Sequence, residues 1–210
     1  MSAEDLYRAL VTGGIRDPAV LEAFRGVPRH EFVPPDQRGR AHEDVPLPIP
    51  HDQVTTQPSL VAKMIEALGL RGGERVLEIG VGYGFQTALL AMLAREVWGV
   101  ERWSDLAETA RANLERCGVR NAQVVVGDGT QGLREHAPFD AIVIAAAFTK
   151  VPRPLAEQLA PGGRLVQPIG PGGHEEVVLY INDDTGLRHT QLVTMAHFVR
   201  LIGEHGFAED

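Results

Sequence analysis

The residues best suited to chemistry in this chain are a run of spaced glycines and two acids that follow it. Gly80-Val81-Gly82-Tyr83-Gly84 comes directly after the β-branched stretch Val76-Leu77-Glu78-Ile79 and leads into helical sequence. Glycines there permit positive φ and let a ligand approach the backbone closely. A dinucleotide fingerprint reads G-x-G-x-x-G, with the pyrophosphate on a helix N-terminus. The spacing here is G-x-G-x-G, which suits a phosphate poorly. Glu101 lies 21 residues after Gly80, at the end of Val97-Trp98-Gly99-Val100, where a carboxylate can accept both hydroxyls of a ribose. Asp128 comes 27 residues later, inside Gly127-Asp128-Gly129, where it can meet an adenine amino group. An acid that ends a strand also serves as a helix N-cap. Three such features, all at carboxyl ends of strands, read together as a nucleoside site.

These positions need a sheet to hold them. Short β-rich runs at 75–79, 97–100, 123–126, 141–144 and 164–168 alternate with helical stretches at 86–94, 105–117 and 154–159. This rhythm predicts βαβ units and an α/β, Rossmann-like, doubly wound, mainly parallel sheet covered on both faces. Two further β-rich stretches, 175–181 and 192–201, flank the turn cluster Asn182-Asp183-Asp184-Thr185-Gly186 and predict a closing antiparallel hairpin. Ahead of the sheet come helices over 3–12 and 18–25, a belt of seven prolines from Pro28 to Pro58, and a helix over 59–68 stopped by Gly69. The belt is expected to be extended and irregular. One domain is expected over 1–210, with N-terminal helices and a substrate loop at 1–58 and a cofactor-binding α/β core at 59–210.

Composition narrows the function class. Lys and Arg number 20 against 28 Asp and Glu, a net charge of −8, and no basic run interrupts the sequence. That field argues against nucleic acid and anionic membranes as partners. The longest apolar run, residues 141–148, is far shorter than the ~18 residues a bilayer requires. Cys117 is the one cysteine and has no partner for an internal disulfide. No basic-then-apolar leader opens the sequence, so a reducing cytoplasm is the expected address. The chain holds no G-x-S-x-G, no G-x-x-x-x-G-K-[ST], no H-E-x-x-H and no C-x-x-C. Nucleophile-elbow, P-loop and zinc chemistries therefore lack their parts, and no metal site is expected.

The segment Glu78 to Gly84 resembles the first motif, E/D-x-G-x-G-x-G, of class I S-adenosylmethionine-dependent methyltransferases. The resemblance implies S-adenosyl-L-methionine as cofactor, with Gly80 and Gly82 at its methionine part, Glu101 at the ribose and Asp128 at the adenine. Glu78 and Gly129 complete the implied cofactor set. The cofactor has no phosphate, which accounts for the glycine spacing.

The Pro-rich belt narrows the resemblance. Arg29-His30-Glu31-Phe32-Val33, then residues 41–49 (AHEDVPLPI), then Gln53-Val54-Thr55-Thr56-Gln57-Pro58 are similar to R-x-x-F-V, A-Y-x-D-x-P-L-P-I and G-Q-T-I-S-Q-P of the protein-L-isoaspartate O-methyltransferases. Residues 80–87, Gly127-Asp128-Gly129, residues 158–170 and Phe198-Val199-x-Leu201 continue the likeness, which spans roughly 26–203. It implies methyl transfer to the carboxylate of L-isoaspartyl residues in damaged proteins or peptides, by a monomer. The ester then closes to a succinimide whose reopening restores some normal aspartate. Two alternatives stay open: a relative that methylates a different carboxylate, such as an Asp in one dedicated peptide, and a non-catalytic cofactor binder.

Four positions depart from the family pattern: His42 for Tyr, Asp52 for Gly, Val54-Thr55-Thr56 for T-I-S, and Arg200 for Pro. In the family the serine lies beside the substrate carboxylate, so the resemblance assigns that place to Thr56. Thr55, Thr56 and local backbone donors would orient the acceptor without protonating it. A carboxylic acid of pKa ~3.9 is already ionised at neutral pH and needs no base. Gln53 and His51 complete the substrate loop, and His51 reads as a donor, a base or a surface residue. Trp98 and Trp103 flank Glu101 and either stack on the adenine or pack internally. Two like charges ~6 Å apart at an effective dielectric of ~20 repel by roughly 2.8 kcal/mol. Asp52 beside an anionic acceptor therefore calls for compensation unless it faces solvent. Arg200 is the expected compensating charge, paired with Asp52 or with the substrate itself.

Overall fold

The alternating apolar runs build a central sheet in the computed structural model, which describes residues 2–209. Along the chain the elements are α1 (Ala3–Thr12), α2 (Pro18–Gly26), β1 (Leu47–Ile49), β2 (Gln53–Thr55), α3 (Pro58–Leu68), β3 (Arg75–Ile79), α4 (Phe85–Leu93), β4 (Glu96–Glu101), α5 (Ser104–Arg116), β5 (Ala122–Val126), β6 (Phe139–Ile144), α6 (Arg153–Glu157), β7 (Leu159–Ile169), β8 (Glu175–Asp183) and β9 (Gly186–Ala196). Seven strands form one sheet in the order β5-β4-β3-β6-β7-β8-β9. The first five pair in parallel, and β8 and β9 add antiparallel. Side chains alternate across the sheet: Val76, Val97, Ala141 and Val166 pack with α3, α4 and α5, while Leu77, Trp98, Ile142 and Leu165 face Leu133 and Leu155 of α6. Each face thus has an apolar cover, which explains why the central strands read as continuous β-branched runs. The strand order reverses between β3 and β6, and the crevice at their carboxyl ends is where open α/β sheets bind ligands.

Two regions differ from the sequence reading. The last strand was expected over 192–201 but runs from Gly186 to Ala196, because the turn is only Asp184-Thr185. Its first half, Arg188-His189-Thr190-Gln191, is exposed along the sheet's edge and carries no apolar alternation. Beyond it the chain leaves the sheet and returns over β6, where Ala147 N–H donates to Val199 O (2.8 Å) and Leu201 N–H donates to Ala147 O (2.7 Å).

The Pro-rich belt is the second difference, since it is ordered into two 3-10 turns, Arg29–Phe32 and Pro35–Arg40, and the antiparallel hairpin β1–β2. Its organiser is Arg29, 2% exposed. One guanidinium nitrogen donates to Ala41 O (3.1 Å) and Glu43 O (2.9 Å), the other to Val45 O (3.0 Å), Thr55 Oγ1 (3.1 Å) and Thr56 O (3.4 Å). Phe85 lies beneath it, 5.6 Å from the guanidinium carbon. Burial lowers its pKa to about 10, which leaves it charged at neutral pH. Charge-assisted bonds of this kind contribute about 1.5–3 kcal/mol each when a partner would otherwise be left unpaired.

Replacing this cation should undo the belt before the sheet. Arg29→Met is expected to lower stability by about 2–4 kcal/mol in denaturant titrations and to speed amide exchange between residues 41 and 56. Unchanged exchange there would mean the belt holds itself.

Candidate active site

At the end of β3 the chain turns through Gly80, Gly82 and Gly84 at φ of +87°, +56° and +90°. A side chain is disfavoured in that region, so the glycines are required by the path itself. Gly80 N–H donates to Val100 O (2.9 Å), tying the loop to β4. At the end of β4, Glu101 is 5% exposed, and each of its carboxylate oxygens receives a backbone N–H: Gly82 at 2.9 Å and Trp103 at 3.1 Å. The carboxylate is therefore fixed in place with lone pairs left over. Gly129, after β5, lies so close to Ile79 that a Cβ would run into that side chain.

These parts enclose a cleft of about 910 Å³, including its mouth. It is lined by Ile79, Gly80, Gly82, Glu101 and Gly129 at the strand ends and by Ile49, Gln53, Thr55 and Thr56 of the hairpin and the residue after it. Ala145 and Ala146 after β6, with Val199, Arg200 and Leu201, complete the lining. Ile49 Cδ1 sits 3.4 Å from where a Cβ on Gly82 would be, so the hairpin rests directly on the glycine loop.

Of the residues singled out by sequence, Gly80, Gly82, Glu101, Gly129, Gln53, Thr55, Thr56 and Arg200 line this one cleft. Thr55 Oγ1 accepts from Arg29, which leaves its own proton free to be donated into the cleft. Arg29 appeared in the sequence only as part of a motif. A lone arginine has no spacing signal, and its role is visible only once the carbonyls around it are placed.

His51, Asp128 and Glu78 sit outside the cleft wall. His51 stacks on Trp103 at 4.0 Å with an interplanar angle of 5°, and its Nε2 is 2.9 Å from Asp105 Oδ2. The hydrogen bond from His51 holds the Asp105 carboxyl below its ordinary pKa. This places His51 as a prop between the hairpin turn and α5. Asp128 Oδ1 accepts from Thr130 N–H (2.8 Å) and Oγ–H (2.6 Å), and Oδ2 accepts from Glu204 N–H (2.8 Å). Burial pushes its pKa up, but those bonds outweigh it and hold the carboxyl below the usual range. Its observed partners are in its own turn and the C-terminal segment. Trp98 stacks on His136 across the sheet and Trp103 on His51, so neither tryptophan lines the cleft.

Asp52 is exposed and lies at φ +54°, next to His51 at +62°. That left-handed turn explains a glycine at this position in similar sequences, and Asp is among the non-glycine residues that tolerate it. No ion pair joins Asp52 to Arg200 among the described residues. Arg200 instead lies over the Phe207 ring, 5.3 Å from its centroid. The expected Asp52–Arg200 unit is not formed, and Asp52 takes the solvent-facing role.

Glu78 is fully buried beneath the loop, accepting from Gln86 Nε2 (3.0 Å) and Thr87 Oγ1 (2.5 Å) at the start of α4. It clamps the helix that follows the glycines. Burial raises its pKa to about 8 against the pull of the Thr87 and Gln86 bonds, with the nearby charge of Glu101 adding to the rise.

Residues 1–206 match the family Protein-L-isoaspartate(D-aspartate) O-methyltransferase. A protein-L-isoaspartate O-methyltransferase of Aeropyrum pernix is 48% identical over 203 residues, covering 95% of this chain and 78% of that one. One from Methanoculleus marisnigri is 49% identical over 194 residues, covering 92% and 88%. Among solved structures, a protein-L-isoaspartate O-methyltransferase superposes with a TM-score of 0.84 at 30% identity, over 98% of this chain and 67% of that one. A Plasmodium falciparum structure of the same description, in complex with S-adenosyl-L-homocysteine, shares the fold with a TM-score of 0.83 at 23% identity, over 96% and 99%.

Glu78 generates a pH dependence of known sign. With a folded pKa of about 8 and an ordinary value of ~4.3, the native state keeps a proton that the unfolded chain releases. Stability contributed by this group is full below about pH 4 and declines as pH rises towards about 8. Glu78→Gln, neutral throughout, should give denaturation midpoints that fall less steeply than the parent's over this window. Parallel curves would show that Glu78 is ionised in the folded protein.

Proposed function

The chain belongs to the protein-L-isoaspartate(D-aspartate) O-methyltransferase family, and from that premise we propose that the cleft is where methyl transfer to an isoaspartyl carboxylate takes place. The activity is S-adenosyl-L-methionine-dependent methylation of L-isoaspartyl residues in proteins and peptides, a repair reaction. The cofactor fits the residues present. Gly80, Gly82 and Gly129 line the cleft with bare backbone, Gly80 and Gly82 at positive φ that a side chain would strain, and Glu101 offers an oriented carboxylate for ribose hydroxyls. When bound, it supplies an electrophilic methyl group on a sulfonium. Asp128, at the end of β5, is the residue we assign to the adenine edge, with Glu78 supporting from below the loop.

The observation that carries this reading is that Thr55 and Thr56 line the same cleft as Gly80 and Glu101. The acceptor carboxylate is anionic and needs orientation rather than deprotonation. No histidine lines the cleft, and the nearby His51 is held by Asp105. Arg29 donates to Thr55 Oγ1, so that hydroxyl's own proton remains available for an acceptor in the cleft, and a buried cation would reach the acceptor through a neutral hydroxyl. The Thr56 side chain, with Gln53, would set the carboxylate's angle, and Arg200 would oppose its charge from within the same lining. Holding the reacting groups in line in a site of low water content can supply roughly 7–11 kcal/mol of the barrier.

No helix among the described residues is long and apolar enough to cross a membrane. Within the same reading, the working form is a single chain in the cytoplasm. Its 1–58 segment serves the acceptor and 59–210 the cofactor, and its −8 charge directs it to protein or peptide partners rather than nucleic acid.

An isoaspartyl peptide and its normal-aspartyl twin, incubated with the cofactor and weighed by mass spectrometry, test the activity: only the first should gain a methyl group. Thr56→Ser should keep most of the rate, and Thr56→Val should lose about 10- to 100-fold, as expected for a lost bond to a charged group. Equal rates for Thr56→Val would remove the hydroxyl from the mechanism. In calorimetry with S-adenosyl-L-homocysteine, Glu101→Ala should weaken binding by about 1.5–3 kcal/mol. Undiminished affinity would assign the ribose elsewhere.

A further inference from the structure

A second groove, of about 990 Å³ including the open space at its mouth, runs alongside the cleft and shares Val54, Thr56, Ala145 and Val199 with it. Anything lying in the groove therefore reaches Thr56. One side of it is the first two turns of α3, presenting Ser59, Leu60 and Lys63 at helical spacing; the other is the end of β9 and the residues after it.

The groove's charge is opposite to that of the chain. Acids outnumber Lys and Arg by 28 to 20, yet the titratable residues lining the groove are Lys63 and His197, with no carboxylate among them. The acids behind its walls are held by backbone and side-chain donors. Asp44 accepts from Ser59 N–H (2.8 Å) and Gln57 Nε2 (3.1 Å), while Glu175 is fully buried and accepts from Phe198 N–H (2.8 Å) through one oxygen, its other oxygen having no partner among the described residues. Lys63 has no hydrogen bond or ion pair among the described residues. A strongly hydrated ammonium is thus left facing a groove that opens onto the acceptor hydroxyls.

We infer that Lys63 determines substrate preference by selecting isoaspartyl chains that carry an acidic side chain on one flank of the damaged residue. This rests on the acceptor site proposed above. An extended peptide advances about 3.3 Å per residue, so a side chain one or two positions from an acceptor at Thr56 falls within the groove. The groove leads away from one side of Thr56, so only one flank meets the lysine. Elsewhere the net negative protein repels an acidic peptide, which makes this contact the one that discriminates.

The test compares kcat/KM for three isoaspartyl peptides of equal length: Gln on both flanks, Glu on the N-terminal flank only, and Glu on the C-terminal flank only. In the parent, one Glu peptide should be favoured over the Gln peptide by about 2- to 5-fold, the range of a solvent-exposed ion pair. The ratio should fall to about one in Lys63→Met and invert in Lys63→Glu. Each ratio is taken within one protein, so a poorly folded variant lowers both arms alike. Equal preference for Glu on either flank, or the same ratio in all three proteins, overturns the inference. If the parent methylates none of the peptides, the acceptor reading itself is what fails.

Discussion

The hairpin that covers the cleft hangs on a buried cation that has no carboxylate partner among the described residues. Arg29 reaches three carbonyls between Ala41 and Val45, and both the hydroxyl of Thr55 and the carbonyl of Thr56. Such a group is costly to bury, and its Nε finds no partner at all. What it returns is specificity of shape. The belt's prolines limit the conformations open to it, and Arg29 selects the one in which the carbonyls converge and the hairpin lies over the glycine loop. The cation also sits one hydroxyl away from the cleft, so the group that folds the loop also biases the cleft's electrostatics.

The cofactor side uses two acids in different ways. Glu101 receives two backbone N–H bonds from the loops it joins and keeps its remaining lone pairs for the cleft. Glu78, only a strand away, is buried and keeps its proton to about pH 8, bracing the first turn of α4 through Gln86 and Thr87. One acid thus faces the cleft and the other faces the scaffold. Sequence spacing alone gives both the same weight.

What the sequence made legible was the part governed by periodicity. Strand β3 spans 75–79 as read, and the neighbouring parallel strands differ only at their ends, because a strand buried on both faces leaves an unbroken apolar run. The glycines were legible because the path needs positive φ there, and Glu101 because it ends a strand beside them and lines the same cleft. Contacts between distant segments were not. His51 on Trp103, Asp128 on the Glu204 backbone and Arg29 on five acceptors are tertiary facts, with sequence separations of 52, 76 and 12 to 27 residues. The proposed partnership of Asp52 with Arg200 failed for a backbone reason. Asp52 occupies a place that requires positive φ, which puts it on the outside of the turn.

The outer edge of the sheet carries a last consequence. Along β9 the pairing with β8 slips twice, between Val177 and Val178 and between Leu179 and Tyr180, so that β9 carries extra residues at Val193 and Thr190. Bulges of this kind twist a strand and break the even row of donors and acceptors that another chain would extend. A partly unfolded chain exposes unpaired strands, and a flat, regular sheet edge is where such strands add. The double slip in β9 gives those strands no continuous template to join.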